Sequence, residues 1–131
     1  MQLSPDTSWL GPFAEHTGFS VTEATPDHAV VEWDVTPQLH QPYGIVHGGV
    51  YCAAIETAAS IGAAVWFGER GQVVGVNNTT DFLRAVNDGH LVATATPLHR
   101  GRSQQLWRVE ITDEQQRVVA HGQVRLQNLT R

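Results

Sequence analysis

The chain has 131 residues and a formal net charge of −5 at pH 7, and its eight basic side chains are all arginine. This length predicts one domain over residues 1–131, and the acidic balance excludes a general basic surface for nucleic acid. A single cysteine, Cys52, excludes an intramolecular disulfide and a cysteine-based zinc site, and the N-terminus does not resemble a secretory signal. We therefore expect a protein of the reducing cytoplasm.

Apolar periodicity predicts six strands and two helices. In chain order, these are a short helix over residues 7–17 interrupted near Gly11-Pro12, strands Phe19–Thr25 and Ala29–Thr36, a helix from Gly48 to Phe67, and strands Gln72–Phe82, His90–His99, Ser103–Thr112 and Val118–Leu126. Gly68 should end the long helix, and Asn87-Asp88-Gly89 should form a turn between strands. An antiparallel sheet around the long helix is the compact arrangement, because the helix has no other partner of its size.

The long helix has the length of a membrane span. However, Glu56 lies at its centre and most of the remainder is alanine, glycine, serine and threonine. A carboxylate at mid-span costs about 2.5 kcal/mol or more, and alanine offsets little of it. The segment therefore predicts the core helix of a protein with no membrane association, with small side chains that let a sheet approach closely on all sides.

The start and the middle of this helix carry candidate chemistry. His47-Gly48-Gly49 stands at its N-terminus, where backbone N–H groups lack partners and the helix dipole is positive. Such an end can receive a carbonyl oxygen that gains negative charge. Glu56 and Ser60 are four residues apart and share one helix face. The carboxylate is either functional or part of a structural ion pair with an arginine.

Together these residues form an extended pattern, Gln41-x5-His-Gly-Gly-x6-Glu-x3-Ser60. It resembles the active-site segment of the hotdog-fold acyl-CoA thioesterases of the PaaI-like family, particularly those with a helix glutamate that cleave 4-hydroxybenzoyl-CoA or 1,4-dihydroxy-2-naphthoyl-CoA. The resemblance runs from about Val31 to the C-terminus and includes Pro97-Leu98-His99 and Trp107. It implies an α+β hotdog fold, in which an antiparallel sheet of about six strands wraps around one long central helix.

The resemblance also implies roles for five catalytic residues. Glu56 would be the nucleophile or general base, the Gly48 N–H would polarise the thioester carbonyl, Gln41 would bind that oxygen or the attacking water, His47 would orient the loop, and Ser60 would position water. In the family, the glutamate and the Gln41 and Gly48 equivalents come from different subunits. It follows that a homodimer is the minimal active unit, with a tetramer expected, and that coenzyme A enters only as part of the substrate, without a separate cofactor or metal.

A second set of residues matches the segments that hold the coenzyme A arm. These are Gly75, Phe82, Leu83, Arg84, Ala85, His99, Arg100, Gly101, Arg102, Ser103 and Gln104. The three arginines would pair with the phosphates of the coenzyme. Phe82 stands where similar members of the family carry a histidine that lines the site, which weakens any transfer of their acyl specificity to this chain but leaves the core chemistry unaffected.

Other functions fit the sequence less well. His-Gly-Gly also occurs in serine hydrolases, but no Gly-x-Ser-x-Gly motif is present, and the glycines do not form a dinucleotide-binding Gly-x-Gly-x-x-Gly. His40, His90 and His99 show no metal-ligand spacing. A non-catalytic acyl-CoA-binding protein is the alternative from another class. The sequence thus predicts hydrolysis of aromatic or bulky acyl-CoA thioesters, in menaquinone synthesis or as a broad housekeeping or phenylacetate-type activity.

Overall fold

A computed structural model describes residues 8–131 and contains one antiparallel six-stranded sheet. The strands are β1 (Ser20–Thr25), β2 (His28–Asp34), β3 (Gly71–Phe82), β4 (His90–Arg100), β5 (Gln104–Thr112) and β6 (Val118–Thr130). Their order across the sheet is β1-β2-β4-β5-β6-β3, so β1 and β3 form its two edges. Two helices accompany the sheet: α1 (Pro12–Thr17) and the long α2 (Gly48–Phe67). The predicted α+β hotdog architecture is confirmed in these elements.

Helix α2 packs closely on the sheet because small side chains face it. Ala54, Ala58 and Ala59 are fully buried. A Cβ atom at Gly62 would lie 2.5 Å from the ring of Trp107, a fully buried residue of β5. The helix ends where Gly68 adopts a positive φ of 61°, as the sequence predicts. Alanine and glycine therefore bring the helix axis close to the sheet, with Trp107 filling the space beside Gly62.

The sheet does not surround α2, and the expectation of close contact on all sides is wrong for the single chain. Glu56 and Ala64 are exposed, and Ala53, Thr57 and Ser60 are only partly covered. We call this stripe the open face of α2. By length and composition, the apolar stretch Gly48–Arg70 would be long enough to cross a membrane, but 56% of its apolar 18-residue window is buried inside the fold. The sheet leaves the open face uncovered because it packs against the other side of the helix.

Several element ends differ from the sequence prediction. The two short N-terminal elements, a 3₁₀ turn at Ser8–Leu10 and α1, meet at Gly11 as expected, while residue 7 lies outside the described residues. Strand β6 continues to Thr130 rather than ending at Leu126, because Leu129 and Thr130 pair with Gln72 and Gly71 of β3. Strand β4 contains a register shift between Pro97 and His99, where it pairs with β5.

Candidate active site

The loop before α2 presents the side-chain amide of Gln41. The backbone N–H of Gln41 donates to the carbonyl of Ile45 at 2.8 Å, and the N–H of Gly44 donates to the carbonyl of Gln41 at 2.9 Å. The Oε1 atom of Gln41 accepts from the N–H of Tyr43. Among residues 8–131, Nε2 of Gln41 has no acceptor. The loop therefore occupies the oxygen of this amide and leaves its NH₂ group free to donate to a ligand.

His47 caps the N-terminus of α2. Its Nδ1 atom accepts from the N–H of Gly49 at 2.8 Å, and its carbonyl accepts from the N–H of Val50 at 2.9 Å. An accepting Nδ1 places the ring proton of a neutral His47 on Nε2. Within the described residues, the N–H of Gly48 donates to no protein group. The free N–H at the positive end of the helix is therefore that of Gly48.

The ring of Phe82 covers Gly48. A Cβ atom at position 48 would lie 2.5 Å from this ring, so the close approach requires glycine. The two residues line a cleft of about 260 Å³ together with Gln41, Tyr51, and Leu83, Arg84 and Ala85. Burial raises the pKa of Tyr51 to about 12, which keeps its hydroxyl neutral. We call this the N-terminal cleft of α2, and it brings the predicted Gln41, Gly48 and Phe82–Ala85 together.

Glu56 lies in the middle of the open face. It forms no ion pair within residues 8–131, so an arginine partner from the same chain does not explain this carboxylate. Gly75 of β3 faces it closely, and a Cβ there would lie 3.7 Å from the carboxyl carbon of Glu56. Ser60 lines the same groove of about 340 Å³, with Trp9 and other apolar side chains on its wall. Glu56 and Ser60 therefore share the open face, and Gly75 of β3 lies beside Glu56.

The N-terminal cleft and Glu56 are separated along the helix. Glu56 follows Gly48 by eight residues, a rise of about 12 Å. The grooves beside Glu56 contain neither Gln41 nor Gly48, and the N-terminal cleft does not contain Glu56. A thioester carbonyl bound to Gly48 would therefore lie beyond the reach of the glutamate of the same chain.

The predicted coenzyme-binding residues His99–Gln104 span the end of β4, the hairpin turn of residues 101–103 and the start of β5. The turn is closed by the Gly101 N–H, which donates to the carbonyl of Gln104 at 2.8 Å. Arg100 pairs with Asp27 at 2.8 Å and lies over the ring of Trp66, near the C-terminal end of α2. Arg84 and Arg102 are exposed and form no ion pair within the described residues. Phe82–Ala85 and the hairpin turn thus lie towards opposite ends of α2.

Some residues around these clefts were not predicted from the sequence. Tyr51 lines the N-terminal cleft, and Trp9, Leu10 and Phe13 border the grooves beside Glu56. Tyr51 follows Gly48 by three residues in the sequence, so helical spacing places both on one side of the start of α2. The contact of Trp9 with the middle of α2 is long-range, and no local pattern reveals it.

Two histidines outside the cleft, His40 and His90, have side-chain partners in the protein. His90 places its two ring nitrogens 2.8 Å from carboxylate oxygens of Asp34 and Glu32. Hydrogen bonds to Asp34 first, and then to Glu32, raise the pKa of His90. The Nε2 atom of His40 lies 2.8 Å from the carbonyl of Asn87. Residues 8–131 contain no group of three histidine, cysteine, aspartate or glutamate side chains placed to hold a metal ion.

Comparison with known proteins identifies the family. Residues 43–120 match the thioesterase superfamily. The chain belongs to this superfamily. It is 55% identical to the protein Rv1847 of Mycobacterium tuberculosis, which is designated an esterase, over 98% of this chain and 97% of that one. The solved structure of the same protein superposes with a TM-score of 0.90 at 56% identity, covering 92% of this chain and 98% of that chain.

Two further members have named activities. The 1,4-dihydroxy-2-naphthoyl-CoA hydrolase of Listeria monocytogenes is 37% identical over 80% of this chain and 85% of its own. The proofreading thioesterase EntH of Cronobacter turicensis is 34% identical over 82% of this chain and 79% of its own. With the superfamily match, these relatives establish that the protein is a thioester hydrolase with the hotdog fold.

Proposed function

We propose that this thioesterase cleaves acyl-CoA thioesters at a site shared by two subunits, with Glu56 of one subunit and Gln41 and Gly48 of the other. The observation that carries the proposal is the unpaired carboxylate of Glu56 on the open face, about 12 Å along the helix from the free N–H of Gly48. Each chain holds both halves, but they are too far apart to meet on one carbonyl. A second copy that covers the open face would supply the missing half to each.

A homodimer with this geometry also covers an exposed sheet edge. Strand β3 is an edge strand of 12 residues, and Val74 and Val76 on it are 44% and 54% exposed. Long apolar edge strands favour pairing with another strand. Pairing of β3 with its copy would place the two open faces beside each other, which supports the dimer as the minimal active unit. We extend the proposal to a tetramer of two such dimers.

In the proposed reaction, the free donors at the N-terminal cleft bind the thioester oxygen. The N–H of Gly48 and the NH₂ of Gln41 would stabilise the negative charge that this oxygen gains when the carbonyl carbon is attacked. His47 holds the first turn of the helix in place through its bond to the N–H of Gly49. Water adds across the thioester bond: its OH joins the acyl carbon and its remaining proton goes to the coenzyme A sulfur. The chemistry uses no metal and no separate cofactor.

Glu56 has two possible roles in this step. It either attacks the acyl carbon and forms a mixed anhydride, or it removes a proton from a water held by Ser60. In a single turnover in ¹⁸O-water, unlabelled product identifies nucleophilic attack by Glu56. If water opens the anhydride at the enzyme carboxyl carbon, the product carries unlabelled oxygen from Glu56, whereas direct attack by water labels the product.

We propose an aromatic or otherwise bulky acyl group as the substrate class, as in a PaaI-like enzyme. The apolar groove of about 340 Å³ beside Glu56, lined by Trp9 and Leu10, supports this class. The named relatives make 1,4-dihydroxy-2-naphthoyl-CoA, and hence menaquinone synthesis in the cytoplasm, the first candidate. The second candidate is a broad housekeeping or phenylacetate-type activity. It is favoured by Phe82, which is 57% exposed and puts an adaptable aromatic wall at the N-terminal cleft.

A panel of acyl-CoA thioesters tests the proposal, with the released thiol followed by a chromogenic reagent. Aryl-CoA substrates should be cleaved with higher kcat/KM than short aliphatic ones, and addition of a chelator should not change the rate. Activity lost to the chelator and restored by one divalent ion would contradict the metal-free mechanism. Binding of acyl-CoA without release of thiol from any substrate would favour the non-catalytic alternative.

A further inference from the structure

Two buried amide side chains join the end of the sheet to the predicted coenzyme-binding turn. Gln105 of β5 is fully buried, and Asn128 of β6 is 6% exposed. The Nε2 atom of Gln105 donates to Oδ1 of Asn128 at 2.9 Å. Buried amides are costly unless their donors and acceptors are satisfied, so the partners of this pair indicate what it does.

Gln105 is fixed by three hydrogen bonds. In addition to Asn128, its Nε2 atom donates to the carbonyl of Ala63 in α2 at 3.2 Å, and its Oε1 atom accepts from Nε1 of Trp107 at 2.8 Å. Both amide protons and the oxygen are therefore used, which defines the orientation of the side chain. Gln105 holds Oδ1 of Asn128 at a set position relative to the central helix.

Asn128 binds three consecutive carbonyl groups of the turn. Its Nδ2 atom donates to the carbonyls of Gly101 at 3.0 Å and Arg102 at 3.2 Å. Its backbone N–H donates to the carbonyl of Ser103 at 2.8 Å. One residue thus turns three carbonyl oxygens, each with partial negative charge, towards the protein interior.

The opposite side of the turn presents backbone N–H donors and an arginine side chain. Within residues 8–131, the N–H groups of Arg102 and Ser103 have no protein acceptor, and the Arg102 guanidinium is exposed without an ion pair. Consecutive free N–H groups beside an arginine suit a phosphate, whereas outward carbonyl oxygens would repel it. The inward direction of the three carbonyls is therefore a condition for anion binding here.

We propose that Asn128, oriented by Gln105, is a positioning residue that shapes the 101–103 turn for the phosphates of coenzyme A. This inference rests on the proposed acyl-CoA activity. Asn128 touches no reacting atom, so it should affect the affinity for the coenzyme arm and leave the chemical step unchanged. The contacts of the amide pair explain why two polar side chains are buried at the end of an apolar sheet.

The test compares Asn128→Asp and Asn128→Ala with the wild type. The aspartate keeps the size and the acceptor of asparagine but replaces both donors with an oxygen that repels the two carbonyls, and the alanine removes the donors without adding charge. Val109→Ala, in the buried part of β5 away from the turn, controls for a general loss of stability. For each protein, KM and kcat for an aryl-CoA, the Kd for free coenzyme A by calorimetry, and amide hydrogen exchange of residues 101–103 are measured.

We expect both Asn128 variants to raise KM and the Kd for coenzyme A about tenfold, with kcat within twofold of wild type and faster exchange in the turn. Val109→Ala should leave KM and Kd unchanged. Unchanged KM and Kd in folded Asn128 variants, beside an active wild type, would overturn the positioning role alone. If both variants fail to fold, the amide pair is structural and the proposal is overturned. A wild type that neither binds coenzyme A nor cleaves its thioesters would instead overturn the proposed function.

Discussion

The start and the middle of helix α2 present opposite chemistry. At its start, Gly48 and the side chain of Gln41 offer N–H donors where the helix dipole is positive. In its middle, Glu56 offers a carboxylate on the open face, with Gly75 leaving space beside it. In the proposed reaction, the donors would stabilise negative charge on the substrate, and the carboxylate would either attack the acyl carbon or remove a proton from water. On this proposal, neither region alone hydrolyses a thioester.

The separation of these two regions along α2 explains how one rigid helix could contribute to two active sites. The rise of about 12 Å between Gly48 and Glu56 is fixed by helix geometry, so no side-chain movement brings them onto one carbonyl. A helix that packs one face on its own sheet and leaves the other face open could provide a carboxylate to one site and donors to another. Substitutions can disrupt the two regions separately.

Removal of the carboxylate should have the largest effect. Glu56→Gln keeps the size of the side chain and should lower kcat by about 10² or more, because the amide neither attacks nor removes a proton. The variant should keep the circular dichroism spectrum and the Kd for coenzyme A of the wild type. Glu69→Gln, an exposed glutamate just beyond α2, is the matched control and should be fully active. Near-normal kcat in Glu56→Gln would remove Glu56 from the active site.

Loss of a donor at the helix start should have the next largest effect. Gln41→Ala should lower kcat by about 10², since the missing amide stabilises charge that develops mainly in the transition state. Gln115→Ala, in an exposed turn, serves as the control in the same steady-state assay. A rise in KM with unchanged kcat would mean that Gln41 binds the ground state only.

The arginines should affect binding and leave turnover unchanged. Arg84→Ala and Arg102→Ala should each raise KM about tenfold, because phosphate contacts are equally strong in the ground state and the transition state. Arg108→Ala removes an arginine paired with Glu110 on the exposed face of β5 and should leave KM unchanged. A fall in kcat at saturating substrate would show that Arg84 or Arg102 reaches the reacting atoms.

The smallest effect concerns His90, outside both regions. Its pKa is raised, so its contribution to stability is complete below the ordinary value of 6.5 and is lost as pH rises through the raised value. Hydrogen bonds from Thr22 and then His90 lower the pKa of Glu32, whose contribution is lost as pH falls through that lowered value. Both contributions are complete between pH 4.5 and 6.5.

Urea unfolding at one protein concentration measures this effect. His90→Gln should reduce the free energy of unfolding by up to about 1 kcal/mol at pH 6 and by less at pH 9, since the ring is partly exposed. His16→Gln, in α1, is the control. An equal loss at both pH values would show that the charge of His90 does not stabilise the fold.

Local sequence signals predicted the elements and selected the candidate residues, but they did not predict the arrangement around α2. The alternation in Ala29–Thr36 and the glycines at Gly48 and Gly68 act through local geometry, and the structure contains the corresponding elements. The open face depends on which side of the helix the sheet covers, a long-range property. The sequence prediction ended the last strand at Leu126, before the polar Asn128, whereas long-range hydrogen bonds to residues 101–103 make the burial of Asn128 possible.

Each active site is proposed to combine two subunits, and subunit mixing provides a direct test of this assembly. Glu56→Ala and Gln41→Ala proteins are each expected to be nearly inactive. After exchange, a mixed dimer would contain one site with both defects and one site with neither. We expect recovery of up to about one quarter of wild-type activity. Random exchange of equal amounts makes half of the dimers mixed, and each mixed dimer has one of its two sites intact. Exchange verified by mass spectrometry of the intact dimers, with no recovered activity, would contradict the shared site.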